Sequence, residues 1–133
     1  MKAFLFLAAV LTCLTRPLSA QTAAPAVAVK NVSAEDAEKL LKEKKEIVVI
    51  DLRTETEFKA GHIAGAKNID FLGSDFAKQI GALDKTKTYL VHCGSGRRST
   101  KSLEVFQAQK IFSILHLNEG FKAWEAAGKP VEK

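Results

Sequence analysis

An α/β domain built on a mostly parallel sheet is the fold this sequence predicts, and three observations carry the prediction. Apolar runs of strand length (Ile47 to Ile50 and Tyr89 to Val91) and a further strand at Ser113 to Leu117 alternate with helical patterns on short loops. The run Ile47-Val48-Val49-Ile50 is apolar at every position, as a strand buried on both faces must be. The 133 residues are 47% hydrophobic and 26% charged, which suits one globular domain and excludes a disordered or fibrous class. No internal repeat, low-complexity segment or second domain interrupts the pattern.

The first twenty residues stand apart from the rest. Lys2 precedes an apolar run, Ala3 to Leu11, and small residues at Ser19-Ala20 precede Gln21. This is the pattern of a secretory signal peptide, residues 1–20, cleaved after Ala20. The run is shorter than the roughly 20 residues that span a bilayer, so no membrane contact is expected after cleavage. The mature chain is therefore expected to be exported, periplasmic or secreted. Cys13 leaves with the signal, so Cys93 becomes the only thiol and no internal disulfide can form. The remaining 18 basic and 15 acidic residues give a mild +3. No basic run is interleaved with aromatics, so nucleic acid is not an expected partner.

Residues 21–30 read as a leader, Ala-rich with Pro25 as far as Ala26, with a short strand at Val27 to Val29. The domain proper is expected over 31–133. Ser33 is placed as the N-cap of a helix to about Lys44, with Ala34, Ala37, Leu40 and Leu41 as its apolar stripe. The strand at Ile47 to Ile50 ends at Asp51-Leu52-Arg53. Thr54 then caps a short helix, Glu55 to Ala60, closed by Gly61. A turn through Ile63 to Ala66 leads to a short strand around Asn68 to Asp70, and a helix covers Asp75 to Ala82. The Tyr89–Cys93 strand follows, then a helical pattern from Ser99 with Leu103 and Phe106 inward. Ser113 to Leu117 is another strand, and Gly120 precedes a last helix carrying Phe121 and Trp124.

The chemistry concentrates in Cys93-Gly94-Ser95-Gly96-Arg97-Arg98-Ser99. A strand that runs into a glycine-rich loop and then a helix puts one thiol at a strand's carboxyl end, where sites of such sheets lie. Gly94 and Gly96 let the backbone curl so that N–H groups point at the sulfur. The helix dipole and the arginines add positive potential. A free thiol ionises near pH 8.5, and each 1.4 kcal/mol of preference for the anion lowers that by about one unit. The thiol of Cys93 is thus expected to be a reactive, low-pKa nucleophile rather than a buried small hydrophobe.

Asp51 and Arg53 share the other strand end. An unpaired carboxylate there would oppose the thiolate, so a neutralised structural network of the two is expected beside the site. His92 should point to the sheet face opposite Cys93 as a core or hydrogen-bonded residue. His62 is expected to bond to backbone, and His116 to be partly buried in its strand. The three histidines lack metal-ligand spacing with Cys93, so no metal is implied.

These residues resemble the rhodanese family over nearly the whole mature chain. Val48 to Arg53, Glu57-Phe58 and Gly61 to Ile69 look like its amino-side signature, and Cys93 to Ser99 like its active-site loop. Leu117 to Trp124 and Ala127 to Val131 resemble its carboxyl-side signature. The resemblance implies a five-stranded, mostly parallel sheet with helices on both faces. It also implies a sulfurtransferase in which Cys93 takes the outer sulfur of a donor such as thiosulfate. The sulfur would be held as a covalent persulfide, without a separate cofactor, and passed to a thiol or protein acceptor. Gly94, Ser95, Gly96, Arg97, Arg98 and Ser99 would bind the donor, with Arg98 the stronger candidate and Arg97 facing solvent. Arg98 stands five positions after Cys93, whereas phosphatases of this fold have one more loop residue. Phosphatase or arsenate-reductase activity is the lesser enzymatic alternative, and a non-catalytic persulfide carrier the alternative of another class. Two positions depart from the family pattern. Glu119 and Lys110 stand where glycine is usual, at about 1 kcal/mol each for a left-handed conformation.

Overall fold

The computed structural model describes residues 27–133. The signal peptide expected at 1–20, Cys13 with it, and residues 21–26 of the leader lie outside the described residues. The elements run β1 (Ala28–Asn31), α1 (Ala34–Glu43), β2 (Val48–Asp51), α2 (Glu55–Ala60), β3 (His62–Ile63) and β4 (Lys67–Asn68). They continue with α3 (Phe76–Gly81), β5 (Tyr89–His92), α4 (Arg97–Ala108), β6 (Ser113–His116), α5 (Gly120–Ala126) and β7 (Val131–Glu132). Five strands form one sheet in the order β1-β6-β5-β2-β4, every neighbour parallel. The expected α/β sheet with helices on both faces is the fold found.

The two faces of the sheet carry separate cores. Ile50, Tyr89, Val91 and Ile114 pack with Phe76 and Ile80 of α3 and Phe106 of α4, and Cys93 belongs to this side. Val49 and Leu90, one step along the same strands, pack with Ala34 and Ala37 of α1 and with Phe121 and Trp124 of α5. This is the two-residue alternation of a strand, and each buried large side chain contributes about 1.5–3 kcal/mol. It also explains why both central strands are apolar throughout.

Local chemistry fixes the helix starts that the sequence predicts. Ser33 Oγ accepts the Asp36 amide at 3.1 Å. Thr54 and Glu57 form a reciprocal capping box at the start of α2, and the helix ends at Gly61 as expected. Other boundaries move. β1 begins at Ala28 and pairs with β6, so the leader boundary expected at residue 30 falls inside an edge strand. The strand expected around Asn68 to Asp70 is the shorter Lys67–Asn68. The helix expected from Ser99 begins at Arg97, because Gly96 in the left-handed region (φ 98°) completes the loop as the N-cap. Both arginines therefore ride on the first turn of α4 rather than on the loop. The antiparallel pairing of β3 with β7, His62 opposite Glu132, is absent from the expectations.

Of the two departures from the family pattern, only one is strained. Lys110 has φ 61° and bears the left-handed cost. Glu119 sits at φ −82°, ψ −11°, and the left-handed position falls to Gly120 instead.

Candidate active site

The carboxyl edge of the sheet aligns the chain's polar chemistry in one row. Register places Asn31 beside His116 and Asp51 beside both His92 and Asn68. Cys93 follows directly from β5, with only 1% of its surface exposed. The loop after it closes on its sulfur: the Gly96 amide donates to Sγ at 3.1 Å, and Ser99 Oγ lies 3.4 Å away. Burial pushes the Cys93 thiol up, but the Ser99 hydroxyl and the amides of Ser99, Gly96 and Ser95 outweigh it, so its pKa is lowered. A lowered pKa is the direction the sequence predicts for this thiol.

Two glycines make that geometry possible. A Cβ on Gly96 would lie 2.0 Å from the Asn118 carbonyl oxygen, and one on Gly120 would lie 2.4 Å from that of Gly94. Backbone therefore packs directly on backbone between the loop and the start of α5. There the Phe121 amide donates to Cys93 O at 2.8 Å and the Lys122 amide to Gly94 O at 3.1 Å. Gly94 is half-buried and Ser95 is exposed at the mouth.

The two arginines separate as expected, with one addition. Arg97 is exposed. Arg98 lies over the loop, its Nη2 3.2 Å from where a Cβ on Gly94 would stand. It holds Glu57 in a two-pronged pair, Nη1 to Oε2 at 2.8 Å and Nη2 to Oε1 at 3.0 Å. Arg98, helped by the Thr54 amide and hydroxyl and opposed by burial, pulls the Glu57 carboxyl down to about 2. The same pair, and more weakly the thiolate of Cys93, raises the Arg98 pKa. The positive charge over the loop is thus permanent, and two of its five N–H groups are engaged.

Asp51 and Arg53 form the expected structural network. Asp51 is fully buried and Arg53 nearly so, with Nη2 to Oδ2 at 2.8 Å, Nε to Oδ1 at 3.1 Å and the Arg53 amide to Oδ1 at 2.9 Å. Arg53 also donates to Gly61 O at 2.7 Å and lies 3.9 Å above the ring of Phe121. Phe121 is the residue whose amide holds the Cys93 carbonyl, so the network supports the loop from below. His92 is fully buried, faces away from the sulfur, and donates from Nδ1 to Cys93 O at 3.0 Å. Among the described residues its Nε2 has no hydrogen-bond partner, and it lies 3.8 Å from Asp51 Oδ2. Burial lowers its pKa against the pull of Asp51. His62 Nδ1 meets the Phe58 carbonyl at 2.9 Å, as expected.

Comparison with known proteins agrees with this arrangement. The family profile described as Rhodanese-like domain matches residues 33–127. The chain belongs to the rhodanese-like domain family. The relatives of this rhodanese-like domain include YibN of Escherichia coli, 31% identical over 77% of this chain and 72% of that one. The thiosulfate sulfurtransferase GlpE of Shewanella oneidensis is 31% identical, covering 64% of this chain and 82% of its own. The chain spans about half (51%) of the longer slr1261 of Synechocystis. Among solved structures, a rhodanese-related protein of Thermoplasma volcanium superposes with a TM-score of 0.66 at 30% identity, covering 77% of this chain and 97% of that one.

The expected site omits Glu57, His116 and Asn31. Among the expectations Glu57 is named only within the amino-side signature; its pairing with Arg98 spans 41 positions. His116, expected partly buried, is 3% exposed, with Nε2 2.8 Å from Ser99 Oγ and Nδ1 3.2 Å from the Asn31 carboxamide. Ser95 and Gly96 of the loop line a groove of about 700 Å³ with Phe71 and Leu72, edged by Arg97, Arg98 and Lys101. A second hollow of about 400 Å³ lies beside Trp124 and Ile63, edged by Glu38, Lys42 and Lys45, and no residue of the Cys93 loop lines it.

Proposed function

We propose that the protein is an exported sulfurtransferase whose reacting atom is Cys93 Sγ. The observation that carries this reading is the sulfur itself, met by the Gly96 amide at 3.1 Å and by Ser99 Oγ at 3.4 Å, in a loop that Arg98 lies against at Gly94. Such a pocket favours a thiolate and admits a small anion. With thiosulfate as donor, the thiolate attacks the outer sulfur. A new S–S bond forms, the old S–S bond breaks, and sulfite leaves with the electron pair. A cyanide ion or a thiolate acceptor then attacks the outer sulfur of the persulfide, and the Cys93 thiolate departs. The three guanidinium N–H groups of Arg98 not engaged by Glu57 are available to the donor's sulfonate. The GlpE relatives named thiosulfate sulfurtransferases support this choice of donor.

Intact-mass spectrometry after incubation with thiosulfate tests the reading, with Cys93→Ser as control. A gain of one sulfur atom, absent from the variant and lost on adding cyanide, is the expected result. No gain on a Cys93 that still alkylates would overturn thiosulfate as donor. Export rests on the Lys2, Ala3 to Leu11 and Ser19-Ala20 pattern, and a mature amino terminus at Gln21 in expressed protein is its test.

A protein acceptor is the second reading, favoured by one observation. Leu72 is 69% exposed at the rim of the groove, beside the cations Arg97 and Lys101. A large apolar side chain flanked by positive charge suits an acidic protein surface that presents a thiol. Persulfide loading without turnover on small acceptors would favour this carrier role.

A further inference from the structure

Ser99 has one proton and three neighbours that can accept it. Gly96 O lies 3.2 Å from its Oγ, Cys93 Sγ 3.4 Å, and His116 Nε2 2.8 Å. Which neighbour receives the proton decides whether the sulfur is stabilised as an anion. The shortest of the three contacts is the histidine, held from the far side by Asn31 of β1 at the edge of the sheet.

We propose that His116 is a positioning residue for the chemistry at Cys93, directing the Ser99 hydroxyl onto the sulfur and supported in turn by Asn31. The inference deepens the sulfurtransferase reading and rests on Cys93 as the reacting group. Both protonation states of the sulfur leave the chain complete. With a thiol, Cys93 donates to Ser99, Ser99 donates to Nε2, and Nδ1–H donates to the Asn31 carbonyl oxygen. With a thiolate, the imidazole takes its other tautomer and the Asn31 amide turns over. Asn31 then donates to Nδ1, Nε2–H donates to Ser99 Oγ, and Ser99 donates to sulfur. A hydroxyl that accepts one such bond becomes a stronger donor of the next. Without the imidazole, Gly96 O competes for the proton and the sulfur loses its nearest side-chain donor.

Burial keeps His116 neutral by lowering its pKa, which is the state both arrangements need. The charges around the sulfur come from other elements: Arg98 with Glu57 above the loop, Asp70 facing Arg98, and the neutralised Asp51–Arg53 pair below with neutral His92. None of them touches the His116 chain, so its contribution is separable from theirs.

The test is the pH profile of Cys93 alkylation by iodoacetamide in the full mature chain, which reads the thiolate whether or not thiosulfate is a donor. In His116→Leu the midpoint should rise by about half to one pH unit, with alkylation at pH 7 falling about three- to tenfold. His116→Gln, whose amide can donate or accept, should restore most of the parent profile. In a Ser99→Ala background the His116→Leu change should have no further effect. Should the leucine variant fail to fold, His116→Asn, too short to reach Ser99, carries the same expectation. A parent-like profile in the folded Leu or Asn variant would overturn the proposal. So would an equal shift with and without Ser99.

Discussion

Two arginine–carboxylate pairs stand at the carboxyl edge of this sheet, with opposite relations to water. Asp51–Arg53 is sealed, with side chains 0% and 6% exposed, and adds bonds to Gly61 O and a stack on Phe121. Glu57–Arg98 is open, with side chains 40% and 25% exposed, and lies against the loop at Gly94. A sealed pair gains nothing from exchange, since either partner alone is a buried charge. An open pair costs little to rearrange, so its arginine can be shared with an arriving anion. An arginine–carboxylate pair thus serves as framework in one place and as a binding group in another.

The comparison can be broken most severely at Arg53. Arg53→Ala strands Asp51 and should cost about 3–5 kcal/mol of stability, read as a lower urea midpoint. Any molecules still folded should alkylate at Cys93 with a midpoint shifted upward, because an unpaired Asp51 carboxylate opposes the thiolate. A loss of less than about 1 kcal/mol would show that the sealed pair is not framework.

Arg98→Ala should do the reverse. Loss of a charge-assisted hydrogen bond of about 1.5–3 kcal/mol raises KM for thiosulfate about tenfold to hundredfold. The accompanying loss of stability should stay below about 1 kcal/mol, as for other exposed pairs. Kinetics at the parent level would remove Arg98 from the anion site.

Glu57 supplies a pH signature of intermediate size. Its carboxyl is held at about 2 in the folded chain against an ordinary 4.5. A depressed folded value means stability that is full above the unfolded pKa and is lost as pH falls from about 4.5 toward 2. Urea titrations across that window should therefore show a steeper decline for the parent than for Glu57→Gln. Equal slopes would mean that the open pair does not couple to folding.

Arg97→Ala should have the smallest effect, within about 0.5 kcal/mol on stability and under threefold on thiosulfate kinetics. Its consequence should appear only with a protein acceptor, as a weaker salt dependence of transfer.

What could be read from the chain depended on how far the deciding contacts lie along it. The caps at Ser33 and Thr54 and the stop at Gly61 arise within one turn, and they fall where the sequence puts them. The strands β2 and β5 show themselves through unbroken apolar runs. The start of α4 does not, because Gly96 provides no side-chain cap to announce it. The two-residue β7 is exposed throughout and carries no periodicity to detect. The thiol, its glycines and Arg98 stand together in seven consecutive residues and were legible as a group. Glu57 and His116 reach that group from 41 and 17 positions away, and only the assembled sheet edge brings them in.

The contact of Gly120 with the Gly94 carbonyl bears on how variant libraries of this protein should be interpreted. Any side chain at 120 would drive its first carbon into the loop that carries the nucleophile. A screen scored on activity alone would rank that glycine alongside Cys93 and suggest a second reactive position. Scoring the same library for abundance as well separates them: one position fails as chemistry in an intact fold, the other as carpentry.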